Sequence, residues 1–253
     1  MNATLDVIER RKSVRAYEPR PIGREQRDAI IHAALRAPTA GNQMLYTILE
    51  IEDQAIKDRL AVTCDHQPFI AKAPLVMVFL ADYQRWFDFF RASGVEDLCR
   101  RTGTPFRKPQ PGDLMLAISD ALVAAQTAVL AAESMGIGSC YIGDVMENYE
   151  VHRDLLKLPD FAFPIAMLCF GFPTEQQQQR TRPTRYPEDL VVFKNAYRRL
   201  GAEELAAMEA PQAAAAQGEG ANTGQRMFLR KYASDFMLEM NRSVREALKP
   251  WEP

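Results

Sequence analysis

A run of four cations and one hydroxyl near the N-terminus is the part of the sequence best suited to chemistry. Residues 10–17, here called the basic segment, read Arg-Arg-Lys-Ser-Val-Arg-Ala-Tyr. Arginine presents a planar fork of donors that fits phosphate oxygens, lysine adds a point charge, and a serine hydroxyl adds a neutral donor. The alternative is a solvated helix end, because cations near a helix C-terminus stabilise its dipole. The segment is therefore a candidate phosphate site.

A second cationic group follows the predicted turn at Gly171. Residues 180–185 read Arg-Thr-Arg-Pro-Thr-Arg. In an extended chain Arg180 and Arg182 point to the same side, because side-chain direction repeats every two residues. Taken alone, this pattern is more typical of a solvated loop than of a binding site.

Small residues recur where regular elements are expected to end, at 38–42, at 141–143 and at Gly171. Loops of this kind let backbone N–H groups approach a planar heterocycle or an anion closely. These loops are therefore candidates for contact with a ring or a phosphate.

Composition limits the partners that such a site can have. The formal net charge of -2 gives no global basic field, which argues against nucleic acid or an anionic membrane surface as a partner. Four cysteines without a C-x-x-C pair and three scattered histidines indicate neither a zinc ribbon nor a metal site. The N-terminus does not resemble a signal peptide, and the apolar stretch 121–132 is too short to span a bilayer. We therefore expect a reduced, cytoplasmic protein.

Apolar periodicity predicts intermixed helices and strands. The expected elements are a helix from Thr4 as N-cap to about Ser13, a helix over 24–37, a strand over 46–51, a further helix, a buried strand over 74–81, an excursion over 83–112, a helix over 113–135 that is apolar on nearly every side, and strands over 138–144 and 163–171. Regular β-α-β repetition and a complete dinucleotide fingerprint are both lacking. The pattern favours an α+β fold, a sheet flanked by helices, over a doubly wound one.

The C-terminal part has a different composition. Residues 206–225 are rich in Ala, Gln and Gly and predict a mobile link between a domain over 1–205 and a tail over 226–253. In the tail, large apolar residues recur every four positions: Phe228, Tyr232, Phe236, Met240, Val244 and Leu248. This spacing predicts one amphipathic helix that packs on the body or on a second subunit.

The ordered set of motifs resembles the FMN-dependent nitroreductase family. The resemblance rests on residues 11–17, 37–42, 71–74 and 136–143, and on Gly171-Phe172-Pro173 followed by Arg180 and Arg182. It covers residues 3 to about 200, and the tail is similar to the NADPH-dependent flavin reductase and oxygen-insensitive nitroreductase branch. The resemblance implies a central, mostly antiparallel sheet, a C-terminal helical extension and a homodimer with two flavin sites at the subunit interface.

The resemblance also implies which residues bind FMN. Those that would hold the ribityl phosphate and the N1/O2 edge of the ring are Arg11, Lys12, Ser13 and Arg15, with Arg180 and Arg182 also on the phosphate. Those that would lie along the ring and the ribityl chain are Pro38, Thr39, Ala40 and Asn42, with Gln67 near the pyrimidine edge. Those that would cover one face and offer a backbone N–H towards N5 are Tyr141, Ile142 and Gly143.

The chemistry implied by the resemblance is ping-pong hydride transfer from NAD(P)H, with NADPH favoured, through FMN to a small flat aromatic acceptor. The protein then supplies orientation and charge, and no side chain is expected to act as a catalytic acid or nucleophile. The alternatives are a metabolite-specific dehalogenase or dehydrogenase, and a flavin-binding sensor or storage protein. Many relatives have Gln-Pro-Trp where this chain has Met44-Leu45-Tyr46. Candidate NADPH contacts are Arg226, Arg230 and Lys231.

Overall fold

A four-stranded antiparallel sheet is the centre of the larger of the two units into which the chain divides. The computed structural model describes residues 2–209, 211 and 218–253. The main unit contains the residues up to Arg180 together with Met240–Pro253, and the second unit is Thr181–Glu239. The predicted link 206–225 lies partly outside the described residues, and the domain boundaries at 205 and 225 remain predictions.

The strands are β1 (Tyr46–Glu50), β2 (Leu75–Asp82), β3 (Gly138–Ile142) and β4 (Ala162–Gly171). Their order is β1-β2-β4-β3, and all neighbouring pairs are antiparallel. Every residue of β2 is buried, as the continuous apolar run predicts for a central strand. The mostly antiparallel α+β sheet expected from the sequence is confirmed.

Helices flank this sheet. Those of the main unit are α1 (Ala3–Arg10), α2 (Arg24–Leu35), α3 (Gln54–Thr63), α4 (Phe69–Lys72), α5 (Gln84–Ala92), α6 (Val95–Thr102), α7 (Pro111–Ser134), α8 (Tyr149–Leu156) and α9 (Glu175–Gln179). The N-cap of α1 is Asn2, whose Oδ1 accepts a hydrogen bond from the Leu5 N–H at 3.0 Å, and not Thr4 as the sequence suggested. The predicted excursion contains α5 and α6.

The long helix α7 has two unlike faces and is not uniformly buried as its sequence suggested. The face against the sheet and α2 consists mainly of alanines, which allow close approach: Ala117, Ala121, Ala124, Ala125, Ala128 and Ala132. The large apolar side chains that are exposed lie elsewhere on the helix: Met115, Leu116, Leu122 and Val123. By length and composition α7 could cross a membrane. However, buried Asp113 and Asp120 and the covered alanine face are typical of the core helix of a globular unit.

The C-terminal tail is not one continuous helix. It comprises α11 (Thr223–Met227), a π-helical turn over Phe228–Tyr232, a bend at 233–234, and α12 (Asp235–Leu248); α10 (Ala202–Ala207) precedes it in the second unit. Phe228 and Tyr232 are exposed, whereas Met240 and Trp251 are buried in the main unit. The end of the tail thus packs within the main unit, and the placement of the tail as a whole remains a prediction.

Candidate functional site

The basic segment lies along the open edge of β3 and the end of β4. Ser13 bridges Ser139 in parallel, and the Val14 N–H donates to the Ser139 carbonyl at 2.9 Å. Further along, Tyr17 bridges Pro173 in antiparallel orientation. The segment is thus paired with β3 at Ser13 and with the residues after β4 at Tyr17, which fixes the direction of the side chains between these two points.

Two glycines make this close approach possible. A Cβ on Gly138 would lie 2.5 Å from Val14 Cγ2, and a Cβ on Gly171 would lie 2.5 Å from Tyr17 Cδ1. The Tyr17 hydroxyl donates to the Val14 carbonyl at 3.0 Å, and burial raises the pKa of the phenol, so it remains a donor. The missing side chains of the glycines therefore seat the basic segment on the sheet.

Lys12 joins the two cationic groups that are far apart in sequence. Its Nζ donates to the carbonyl oxygens of Gln178 at 2.5 Å and Arg180 at 2.6 Å. The Arg15 N–H donates to Gln177 Oε1 at 3.2 Å, which adds a second connection to this chain segment. Lys12 thus links the first cationic group to the backbone of Arg180, and the convergence of both groups on a phosphate remains a prediction.

The charges around Cys140, the central residue of β3, show which side chains gather here. Burial raises the pKa of its thiol, while the charges of Arg15 and Arg180 and hydrogen bonds involving Ser13 and Arg15 oppose that rise. Ser13, Arg15 and Arg180, which come from two separate segments, therefore all act on one residue at the edge of the sheet. Arg182 lies in the second unit, so its place beside them remains a prediction.

The charge of Arg11 acts on both Glu133 and Tyr141. Burial raises the pKa of Glu133 to about 7, with the nearby charges of Arg11, Arg10 and Lys12 opposing the rise. Burial also raises the pKa of Tyr141 to about 12, again opposed by Arg11. Arg11 is thus close to β3 and to the end of α7, and it is only half-buried.

The loop 38–45 connects α2 to β1 and carries the second group of predicted site residues. Pro38 and Asn42 are exposed, whereas Thr39 and Ala40 are half-buried. A 3-10 turn spans Ala40–Asn42, and φ is positive at Gly41 (56°), Asn42 (57°) and Met44 (51°). The loop therefore presents backbone and small side chains on its outer side.

Asp120 of α7 holds this loop from inside and is not among the site residues predicted from the sequence. Its carboxylate accepts hydrogen bonds from the Thr39 hydroxyl, from the Ala40 N–H at 2.9 Å and from the Leu45 N–H at 3.1 Å. Asp120 is 5% exposed. The available signal was an acid within a long apolar run, since a buried carboxylate needs hydrogen-bond donors.

The remaining predicted residues occupy separate positions. The Gln67 side-chain amide donates to the Cys64 carbonyl at 2.9 Å in the turn after α3. Ile142 is 1% exposed and packs in the core, so only its backbone can face a ligand. Gly143 is exposed and precedes a 3-10 turn. Their roles beside a cofactor remain predictions.

The comparisons with known proteins agree with this architecture. Residues 8–172 match the model of the nitroreductase family. The chain is 30% identical over 223 residues to an oxygen-insensitive NADPH nitroreductase of Salmonella typhimurium, covering 88% of this chain and 86% of that protein. It is 30% identical over 208 residues to an FMN reductase [NAD(P)H] of Bacillus subtilis, covering 81% and 78%.

Solved structures show the same fold. An NADPH:FMN oxidoreductase from Vibrio harveyi, complexed with NAD+, superposes with a TM-score of 0.80 at 24% identity, covering 98% of both chains. The family match extends from α1 to the end of β4 and so includes the basic segment, loop 38–45 and β3. The chain belongs to the nitroreductase family.

Proposed function

We propose that this chain is an FMN-dependent NAD(P)H oxidoreductase that passes hydride by a ping-pong mechanism to nitroaromatic, quinone or flavin acceptors. The observation that carries the proposal is the Lys12 bridge, which places Arg180 against the basic segment although 168 positions separate them in sequence. The printed activities of the relatives, NADPH nitroreductase and FMN reductase, support the same conclusion.

The residues present fit the shape and charge of FMN. Its terminal phosphate and the N1/O2 edge of its ring need donors; Ser13, Arg15 and Arg180 all act on the Cys140 thiol, while the charge of Arg11 acts on Tyr141. Its flat ring needs small residues and backbone, which loop 38–45 provides. When bound, FMN accepts a hydride from NAD(P)H and delivers it to the acceptor.

The residues of this chain bind and orient. We assign Arg11, Ser13, Arg180 and Arg182 to the phosphate, and Arg15 to the ring edge, where its charge stabilises the reduced flavin. Lys12 has two of its three donors on carbonyls, so its main task is to hold the Arg180 segment in place. The assigned residues supply no nucleophile or catalytic acid.

We also propose a cytoplasmic homodimer with the flavin sites at its interface. The exposed apolar side chains of α1 and α7 that would cover one another there are Leu5, Ile8, Met115, Leu116, Leu122 and Val123. Large contiguous apolar patches on a protein surface usually mark interaction sites. Stable interfaces of this kind bury on the order of 2,000 Å² or more.

NADPH is the proposed reductant, because the Salmonella and Vibrio relatives are named for it. Of the three candidate contacts in the second unit, Arg226 donates to the Gly220 carbonyl at 3.0 Å and lies 3.7 Å from Glu209. Arg226 is thus already engaged within its own unit. Lys231 Nζ lies 5.5 Å from the centre of the Phe236 ring.

Identification of the bound ligand and of its phosphate contacts tests the proposal. We expect the purified protein to release FMN on denaturation, identified by mass, and to bind riboflavin, which lacks the phosphate, much more weakly. Replacing Arg11 or Arg182 with alanine should weaken FMN binding by about 1.5–3 kcal/mol, or about one to two decades, whereas Arg185→Ala serves as the matched control. Release of FAD, or equal FMN affinity in all three variants, would contradict the proposal.

A further inference from the structure

We propose that Asp120 is a positioning residue that fixes loop 38–45 in the shape needed to receive the flavin ring. This inference rests on the proposed function, because it assumes that the loop lies along the ring. Its physical basis is independent of that assumption: one buried carboxylate collects donors from three different points of the loop, Thr39, Ala40 and Leu45.

Hydrogen bonding within α7 does not explain why an aspartate stands at position 120. It lies in the interior of a helix that runs over Pro111–Ser134, so its side chain caps neither end. Its fully buried helical neighbours are Ala117, Ala121 and Ala124, which offer the carboxylate no side-chain donor. Burial of an ionised carboxylate is unfavourable unless donors surround it. The loop supplies those donors.

Side chains of α5 donate hydrogen bonds to carbonyl groups at the same loop. Trp86 Nε1 donates to the Gln43 carbonyl at 2.8 Å, and Arg85 donates to the carbonyls of Met44 and, at 3.2 Å, of Tyr46. The N–H groups of the loop thus bind Asp120 on one helix, while its carbonyl groups bind donors on another. The loop is held between α7 and α5.

Such a clamp is needed because the loop has an unfavourable backbone conformation. Asn42 and Met44 both have positive φ, and for an unbranched residue such as methionine this conformation persists only when the surroundings impose it. The Thr39 hydroxyl also accepts the Met44 N–H at 2.7 Å while it donates to Asp120. Asp120 therefore acts on Met44 through one intervening hydroxyl.

Asp120→Asn tests the inference with almost no change in volume. The substitution replaces one acceptor oxygen with an NH₂ group, so that a donor faces either the Ala40 N–H or the Leu45 N–H. We expect the FMN dissociation constant to rise about tenfold and the visible absorption bands of bound FMN to shift. The matched control is Asp113→Asn, another buried acid of α7, which pairs with Arg107 at the start of the helix. The control should leave FMN affinity and the bands unchanged.

A surface variant keeps the test decisive if Asp120→Asn does not fold. Arg85 is exposed, so Arg85→Gln should fold, release the Met44 carbonyl and raise the FMN dissociation constant about threefold. Arg91→Gln, which breaks an exposed pair with Glu96 in the same helix region, is its control. The inference would be overturned if Asp120→Asn had the FMN affinity and the absorption bands of the wild type. If Asp120→Asn does not fold, the same result for Arg85→Gln would overturn it. Failure of the wild type itself to bind FMN would instead overturn the proposed function.

Discussion

Replacing Gly138 with alanine is expected to push the basic segment away from the edge of the sheet. The added Cβ would lie 2.5 Å from Val14 Cγ2 and 2.9 Å from Val14 Cβ, whereas carbon atoms in contact prefer about 3.5–4.0 Å. The segment must therefore move by about 1 Å at Val14, because Val14 is 3% exposed and buried side chains are close-packed. Overpacking of this kind costs about 1–3 kcal/mol of stability.

The same movement should weaken the cofactor site. Ser13 and Arg15 flank Val14, and a shift of about 1 Å spoils the alignment of a charge-assisted contact worth about 1.5–3 kcal/mol. We therefore expect Gly138→Ala to raise the FMN dissociation constant by about tenfold to a hundredfold, measured by quenching of flavin fluorescence, and to lower the urea midpoint.

Two further variants make this experiment specific. Gly112→Ala is the control, because a Cβ there meets nothing within 4 Å. Val14→Ala removes the two methyl groups that clash with the new Cβ, so combining it with Gly138→Ala should restore part of the lost affinity in a double-mutant cycle. Wild-type stability and FMN affinity in Gly138→Ala would refute the idea that a tightly seated segment builds the site.

Three other perturbations test separate parts of the structure. Leu122→Glu should abolish both the dimer, measured by light scattering, and FMN retention, measured by absorbance. Val62→Glu in α3, at a similarly exposed position, is the control and should stay dimeric. A Leu122→Glu monomer that still binds flavin would show that the interface lies elsewhere. Burial raises the pKa of Glu133 to about 7, so ionisation of this carboxyl opposes folding. Glu133→Gln should therefore be more stable than the wild type by about 1 kcal/mol above pH 7 and equally stable below pH 4.5. A stability difference that does not change across that pH range would contradict this prediction. Burial lowers the pKa of His152 below 6.5, so the unfolded chain binds a proton that the folded one excludes; urea midpoints should fall as the pH drops below 6.5, and less so in His152→Gln.

Local patterns were sufficient for the parts of the fold that obey one rule. The continuous apolar run predicted the buried strand β2 correctly, because only a central strand hides both of its faces. Residue types alone made the cationic run a candidate phosphate site, whereas Arg180 joined it only through the family resemblance. The structure brings Lys12 to the backbone of Arg180, and the phosphate role of both remains a prediction.

The failures arise where a contact depends on distant residues. Asp120 binds residues that lie 75 to 81 positions away, so nothing in its own neighbourhood indicates its partners. The four-residue apolar spacing of the tail continues through the bend at 233–234, and periodicity alone therefore predicted a single helix. Leu114 and Leu122 are the same residue type, yet one is 3% and the other 39% exposed. Their difference is set by what packs against α7.

The most direct test of the central claim is an anaerobic measurement of the two half-reactions on the purified holoprotein. Addition of NADPH alone should bleach the bound yellow chromophore rapidly, and addition of a nitroaromatic or a quinone to the bleached protein should restore the colour. NADH in a parallel titration reports the preference between the two reductants. A chromophore that dithionite reduces but neither pyridine nucleotide does would contradict the proposed oxidoreductase activity and indicate a flavin-binding protein without turnover.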